Sequence, residues 1–341
     1  MTRPLILVDP LPRTLELICD PPTRAKLESL ADLVIHETSR MPAEMVDRHL
    51  PDVSIIMGQT KLPRERLMKA KKLRAIIDVE TNFTDAIDYD YCFANGIHVL
   101  TPGSAFADAV AESALGMAID LARGITRADR DFRHGREAYG LDGNVGSFSL
   151  FGESMGLIGY GDLARSFHRL VQPFKCDISV HDPWVPDYVL KKAGVKPLPL
   201  EELLRTCRII LVFAGVTSEN QGFLGRRQLE LIRPDAAFLL MSRAAVVDFP
   251  AFIDLVKQGR FRAATDVFPI EPVAKDDPVR QVEGLLLSAH RTGGMPDALF
   301  DIGRQAVADA ELILKGLPPV VCRKALPETV KRFRSKPVEM T

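Results

Sequence analysis

Three glycines have the spacing of a phosphate-binding turn. Gly156, Gly159 and Gly161 stand in MGLIGYGDLARSF, where an apolar run passes straight into a glycine turn and then into a helix-compatible segment. Glycine permits the tight turn and lets the backbone approach a pyrophosphate, which then meets the free amides and positive dipole of the following helix. Ala164 takes the third small-residue position of a GxGxxA pattern. His181-Asp182-Pro183 follows at the end of the next apolar run, about twenty residues on, where an acid grips the adenosine ribose hydroxyls. An aspartate there also repels a 2′-phosphate, so NAD is expected ahead of NADP. Arg165 and Arg169 on the following helix do not replace that acid. Gly159, Gly161, Asp162, Leu163, Asp182 and Pro183 are the candidate cofactor contacts from this stretch.

A glycine turn of this kind works only when a parallel sheet presents it. Residues 4–100 alternate short apolar runs (PLILVD, LVIH, VSIIMG, LRAIID) with amphipathic intervals, which suits buried strands joined by crossover helices. A second series begins after GSFSLFGE, with six strand candidates: ESMGLIGYG, DISVHD, CRIILVFAG, DAAFLLMSR, FRAATDVF and VEGLLLSAH. Six such runs complete a doubly wound sheet. Between the two series, the spacing of small and apolar residues predicts one long helix from about Phe106 to Arg127. A last helix-like stretch, DALFDIGRQAVADAELILKG, is expected to cross back to the first domain. The expected architecture is therefore α/β with two Rossmann-like parallel-sheet domains. A flavodoxin-like substrate domain takes 1–101 and 296–341, a doubly wound NAD-binding domain takes 102–295, and a cleft separates them.

Composition narrows the function further. The 341 residues carry 44 Lys+Arg against 45 Asp+Glu, a net charge of -1 that lacks the basic excess needed to hold nucleic acid or an anionic membrane. Hydrophobic residues at 46% and charged ones at 26% place the chain among ordinary globular proteins. Five cysteines, Cys19, Cys92, Cys176, Cys207 and Cys322, form no CxxC pair, so no metal site is expected and free thiols suit a reducing compartment. With no signal-like or membrane-spanning apolar run, a cytoplasmic protein acting on a small molecule is expected.

Four segments in order give the chain a family resemblance. TPGSAFADAVAESALGMAIDLARG with the glycine motif, FLLMSRAAVVD, ATDVFPIEP and LLLSAHRTGG together resemble the D-isomer-specific 2-hydroxyacid dehydrogenases, over nearly the whole length. The resemblance implies hydride transfer between nicotinamide and C2 of a hydroxy or oxo acid. It assigns catalysis to Arg243, Glu271 and His290, and it places Asp266, Met241, Ser242, Arg243, His290 and Gly293 along the nicotinamide and its ribose. The chemistry suits those residue types. Reducing a 2-oxo acid calls for a cation on the carboxylate and carbonyl, which the Arg243 fork offers, and for a proton donor beside the carbonyl oxygen. His290 can donate, and Glu271 beside it would orient the ring and favour its protonated form.

Two stretches depart from that family. Its members carry glycines in the loop after the strand matching LRAIID, whereas this chain has Val79-Glu80-Thr81-Asn82-Phe83-Thr84-Asp85. An amide cradle can still form there without glycine if φ stays negative. Glu80 would repel a substrate anion, and Glu80, Thr81 and Asn82 with Arg243 are the candidate substrate contacts, suited to a polar or polyhydroxylated acid. The other departure is Phe213-Ala214-Gly215-Val216-Thr217, where a His-x-Pro-like stretch is usual. The competing reading is an NAD(H)-sensing binding protein of corepressor type on the same fold. A homodimer is expected through the 106–127 helix, and the basic segment Arg323 to Lys336 reads as a solvated tail.

Overall fold

The computed structural model describes residues 3–333. The chain divides into two compact units: residues up to Phe106 together with those from Met295 onward, and Ala107–Gly294.

The first unit is built on the strands β1 (Leu5–Asp9), β2 (Asp32–Ile35), β3 (Val53–Gly58), β4 (Ala75–Ile77) and β5 (His98–Thr101). They lie in the order β2-β1-β3-β4-β5, all parallel, which is the flavodoxin arrangement with its topological switch between β1 and β3. Every residue of β3 is buried, as a strand covered on both faces requires. The helix Pro296–Leu314 belongs to this unit and buries Ile302, Ala306, Ala310 and Ile313 against the layer that holds Leu15 and Ile18. Gly303 permits the contact, because a Cβ there would stand 2.1 Å from the Ile18 carbonyl oxygen.

The basic segment is not a solvated tail. The buried Asp309 carboxylate accepts from the amides of Val320 (2.8 Å) and Cys322 (2.7 Å), turning the chain back after the helix. Arg323–Lys324 then pairs antiparallel with β5, and the Phe333 ring lies 6.0 Å from that of Phe83. Residues 334–336 of the expected tail lie outside the described residues.

The second unit holds β6 (Ser154–Ile158), β7 (Asp177–His181), β8 (Lys196–Pro197), β9 (Ile209–Val212), β10 (Ala237–Leu240), β11 (Arg262–Thr265) and β12 (Leu285–Leu287). Their order β8-β7-β6-β9-β10-β11-β12 is parallel throughout and doubly wound, with its switch between β6 and β9. β8 adds a seventh strand to the six expected. Two residues with a proline at a sheet edge leave no periodic signal.

The helix expected over 106–127 is two helices. Ala107–Arg123 buries Val110, Ala111, Ala114, Ala118, Leu121 and Ala122. Gly124 then takes a left-handed conformation at φ 66, and Ile125–Arg133 starts afresh with the Thr126 amide on the Asp120 carboxylate at 2.6 Å. The apolar periodicity continues across the break, which conceals it.

Candidate active site

The glycine loop joins β6 to the helix Asp162–Val171 at the β6/β9 switch. Gly159 sits at φ 89, and a Cβ there would stand 2.7 Å from the Ala214 amide nitrogen, so only glycine fits. That contact also gives the departure at Phe213-Ala214 a physical role: the chain after β9 closes one side of the turn. At Gly161 an added Cβ would meet nothing within 4 Å, and no side chain caps the helix it precedes. The first amides of a ten-residue helix thus stay free behind open space, with Asp162 and Leu163 at its start.

Asp182, at the end of β7, faces this loop. Its Oδ2 accepts from the Tyr160 amide at 2.7 Å and its Oδ1 from the Trp184 amide at 2.8 Å. Each oxygen keeps acceptor capacity for a ribose hydroxyl. Pro183 beside it is exposed. The carboxylate therefore also ties the glycine turn to the end of β7, a role that spacing alone does not show.

Arg243, Glu271 and His290 come together at the carboxyl ends of β10, β11 and β12. His290 Nδ1 lies 2.6 Å from Glu271 Oε2, and Glu271 Oε1 accepts from the Phe268 amide at 2.8 Å, which holds the carboxylate in place. The His290 side chain is 30% exposed and its backbone is left-handed at φ 50. Such strain is held by its surroundings: the His290 amide donates to the Asp266 carbonyl at 2.7 Å. The buried Asp266 carboxylate accepts from the Arg291 amide (3.1 Å) and the Thr292 hydroxyl (2.6 Å), fixing the loop that carries His290 and Gly293.

Arg243 Nη1 donates to the Ser242 carbonyl at 2.8 Å. Burial lowers the Arg243 pKa, and the Glu271 and Asp266 charges oppose that shift. Met241 and Ser242 are buried beside it, and the Ser242 hydroxyl has no hydrogen-bond partner among the described residues. An orphaned buried hydroxyl, a helix start without a cap, open space at Gly161 and spare acceptors on Asp182 together fit a bound dinucleotide.

A second constellation lies at the carboxyl ends of β1, β3 and β4 in the first unit. Glu80 is 7% exposed, and its amide donates to Asp78 Oδ1 at 2.9 Å. Gln59 Nε2 donates to the same oxygen at 2.9 Å, and an Arg13 Nη1 hydrogen bond clamps the Val79 carbonyl. Thr81 takes φ 71, so the condition of negative φ for a glycine-free cradle is not met at that residue. The Glu80 amide already serves Asp78, so an amide cradle at that residue is not free. Asn82 Nδ2 folds back toward the Glu80 carbonyl at 3.4 Å, while Thr81 and Asn82 stay half-buried. Burial raises the Asp78 carboxyl to about 7 against the pull of Gln59 and the Glu80 amide. Burial also raises Glu80, with Arg13 and Arg40 opposing. Arg13, Gln59 and Asp78 escape sequence reasoning, and only their places at strand ends beside a switch point could have marked them.

Residues 115–292 match the family profile described as D-isomer specific 2-hydroxyacid dehydrogenase, NAD binding domain. The chain belongs to this family. A solved phosphoglycerate oxidoreductase from Rhizobium etli is 40% identical, with a TM-score of 0.89 over 96% of this chain and 100% of that one. The glyoxylate reductase of Thermofilum pendens is 26% identical over 317 residues, 89% of this chain and 91% of that protein. The D-3-phosphoglycerate dehydrogenase of Methanocaldococcus jannaschii is 26% identical over 271 residues, 78% of this chain. This chain spans about half the length of such phosphoglycerate dehydrogenases, the match covering 50% of that one and 54% of its Archaeoglobus fulgidus counterpart. The glycine turn, Asp182, Arg243, Asp266, Glu271 and His290 all lie within the matched NAD-binding domain.

Proposed function

We propose that the protein is an NAD-dependent D-2-hydroxyacid dehydrogenase acting on a polar, hydroxyl-bearing 2-oxo or 2-hydroxy acid, and that it works as a homodimer. The observation that carries this reading is the His290–Glu271 hydrogen bond at 2.6 Å on the same sheet edge as Arg243. Glu271 occupies Nδ1, so Nε2 is the ring nitrogen that holds the exchangeable proton. Bound NADH supplies the hydride that substrate C2 receives. His290 Nε2 gives the carbonyl oxygen its proton, and in the oxidising direction takes it from the hydroxyl. Arg243 holds the substrate carboxylate with its planar fork and polarises the carbonyl.

The free amides behind Gly161 would take the pyrophosphate, Asp182 the ribose hydroxyls, and Ser242 and Gly293 the nicotinamide side. Asp182 supports NAD over NADP. The Glu80 carboxylate, on a largely buried residue, supports a substrate bearing hydroxyl donors, because it offers them an acceptor and repels a second anion. The relatives are named for a phosphorylated and an unphosphorylated acid, and it is Glu80 that tips the reading toward the latter.

The homodimer rests on apolar surface. Leu115, Met117 and Ile119 on the 107–123 helix remain half-buried, and Phe132, Tyr139, Leu141 and Val145 after it are exposed. Light scattering giving the monomer mass across a wide concentration range would refute that part. Among the described residues, no helix is long and apolar enough to cross a membrane.

The reading as a whole is tested by NADH and NADPH oxidation across a panel of 2-oxo acids. It expects turnover with NADH, kcat/KM highest for a polyhydroxylated acid and lowest for a phosphorylated one. A phosphorylated acid as the best substrate would overturn the substrate class, and silence with every acid would overturn the enzyme reading.

A further inference from the structure

Arg13 follows β1, and its guanidinium lies at the strand ends beside the β1/β3 switch, where open α/β sheets take their ligands. One of its five donors clamps the Val79 carbonyl, and its cation lies 5.6 Å over the Phe106 ring. Such a partly desolvated guanidinium would bind a phosphate or a second carboxylate well. The Val79 clamp sets the guanidinium one residue from Glu80; of the acids that act on it Glu80 comes first and Asp78 second, and Arg40 acts on Glu80 after Arg13. Asp78 is engaged with Gln59 and the Glu80 amide. Glu80 is largely buried as a residue, and its carboxylate forms no hydrogen bond or ion pair among the described residues. An unpaired carboxylate near a cation weakens its field toward an anionic ligand while offering a hydroxyl an acceptor.

We propose that Arg13 is a specificity-determining residue whose positive charge is masked by Glu80, so that this end of the sheet admits hydroxyl-bearing groups and turns away a second anionic group until Glu80 is neutralised. The proposal rests on the substrate reading above and adds the residue that sets its selectivity. It makes the Glu80→Gln variant a gain of function: with the carboxylate gone, Arg13 becomes a free anion site. A like-charge contact removed from such a place changes affinity on the order of tenfold or more.

The test uses the full chain saturated with NADH, so that the dinucleotide site is filled, and titrates inorganic phosphate by calorimetry into wild type, Glu80→Gln and Arg13→Gln/Glu80→Gln. The expected result is phosphate binding about tenfold tighter in Glu80→Gln than in wild type, returning to the wild-type level in the double variant. Unchanged affinity in Glu80→Gln overturns the proposal whether or not the double variant folds, and so does a gain that survives loss of Arg13. If Arg13→Gln unfolds the protein, Arg13→Lys/Glu80→Gln replaces it. Lysine keeps the charge without the two-pronged fork, so a partial gain is expected and a full one counts against Arg13.

A parallel arm compares kcat/KM for a phosphorylated and a polyhydroxylated 2-oxo acid. The expected outcome is a Glu80→Gln shift toward the phosphorylated acid that Arg13→Gln cancels. A purely structural clamp on Val79 would instead lower both acids by one factor. The two readings fail differently. If the enzyme reading is wrong, no 2-oxo acid turns over although the phosphate shift persists; if this proposal is wrong, turnover is normal and the shift is absent.

Discussion

Glu271 Oε2 stands 2.6 Å from His290 Nδ1, and the two residues come from separate loops, one after β11 and one after β12. The bond leaves a single imidazole nitrogen for chemistry. His290→Ala is therefore expected to lower kcat by ~10²–10⁴-fold while NADH affinity holds. Glu271→Gln keeps the shape but not the charge, so kcat should fall while Tm stays near wild type. Stopped-flow turnover and a fluorescence titration of NADH check both, and near-normal kcat in His290→Ala would remove it from the mechanism.

The two glycines of the turn should behave differently when given a methyl group. At Gly159 a Cβ stands 2.7 Å from the Ala214 nitrogen and φ is 89, so Gly159→Ala should destabilise the protein by about 1–3 kcal/mol. At Gly161 the space is open, so Gly161→Ala should leave stability within about 0.5 kcal/mol. It should nevertheless weaken NADH on the order of tenfold, because the methyl lies where a pyrophosphate would approach. Thermal unfolding and NADH titration of both variants decide this.

Asp182 holds the Tyr160 and Trp184 amides, and the proposed function gives the same carboxylate the ribose hydroxyls. Asp182→Ala should both weaken NADH and erode the preference over NADPH, whereas a pure specificity residue would show only the second effect. Paired titrations of the two nucleotides separate the outcomes.

Asp78 makes stability depend on pH. Burial raises its carboxyl to about 7, above the ~3.9 of an unfolded chain, so the native state binds the proton more tightly. Its contribution is full below the unfolded value and is lost as pH rises through about 7. Asp78→Asn keeps an oxygen for Gln59 and the Glu80 amide but cannot titrate. Its stability relative to wild type should improve between pH 5 and pH 8, on the order of a few kcal/mol. Chemical denaturation at both pH values measures this, and parallel shifts would contradict it.

The second unit's cluster is the more legible of the two. Gly159, Gly161 and Asp182 are carried by short-range spacing around two consecutive strands, and Arg243, Glu271 and His290 lie in three motifs in family order. The strands of both sheets coincide with the alternating apolar runs, apart from β5, which lies beyond the runs named for the first unit, and two-residue β8 and Arg323–Lys324, which have no room for a period. The first unit's cluster is different in kind. Positions 13, 59, 78 and 80 meet because β1, β3 and β4 are neighbours in the sheet, a relation absent from local sequence. Thr81 shows the same limit: a threonine gives no sign of a φ of 71.

The most direct test of hydride transfer to C2 is isotopic. A 2-oxo acid reduced by the purified protein with NADH deuterated at C4 should yield the D-2-hydroxy acid with deuterium at C2, and His290→Ala should yield almost none. Product of the L configuration, or turnover without deuterium at C2 from either face of the labelled cofactor, would contradict the account.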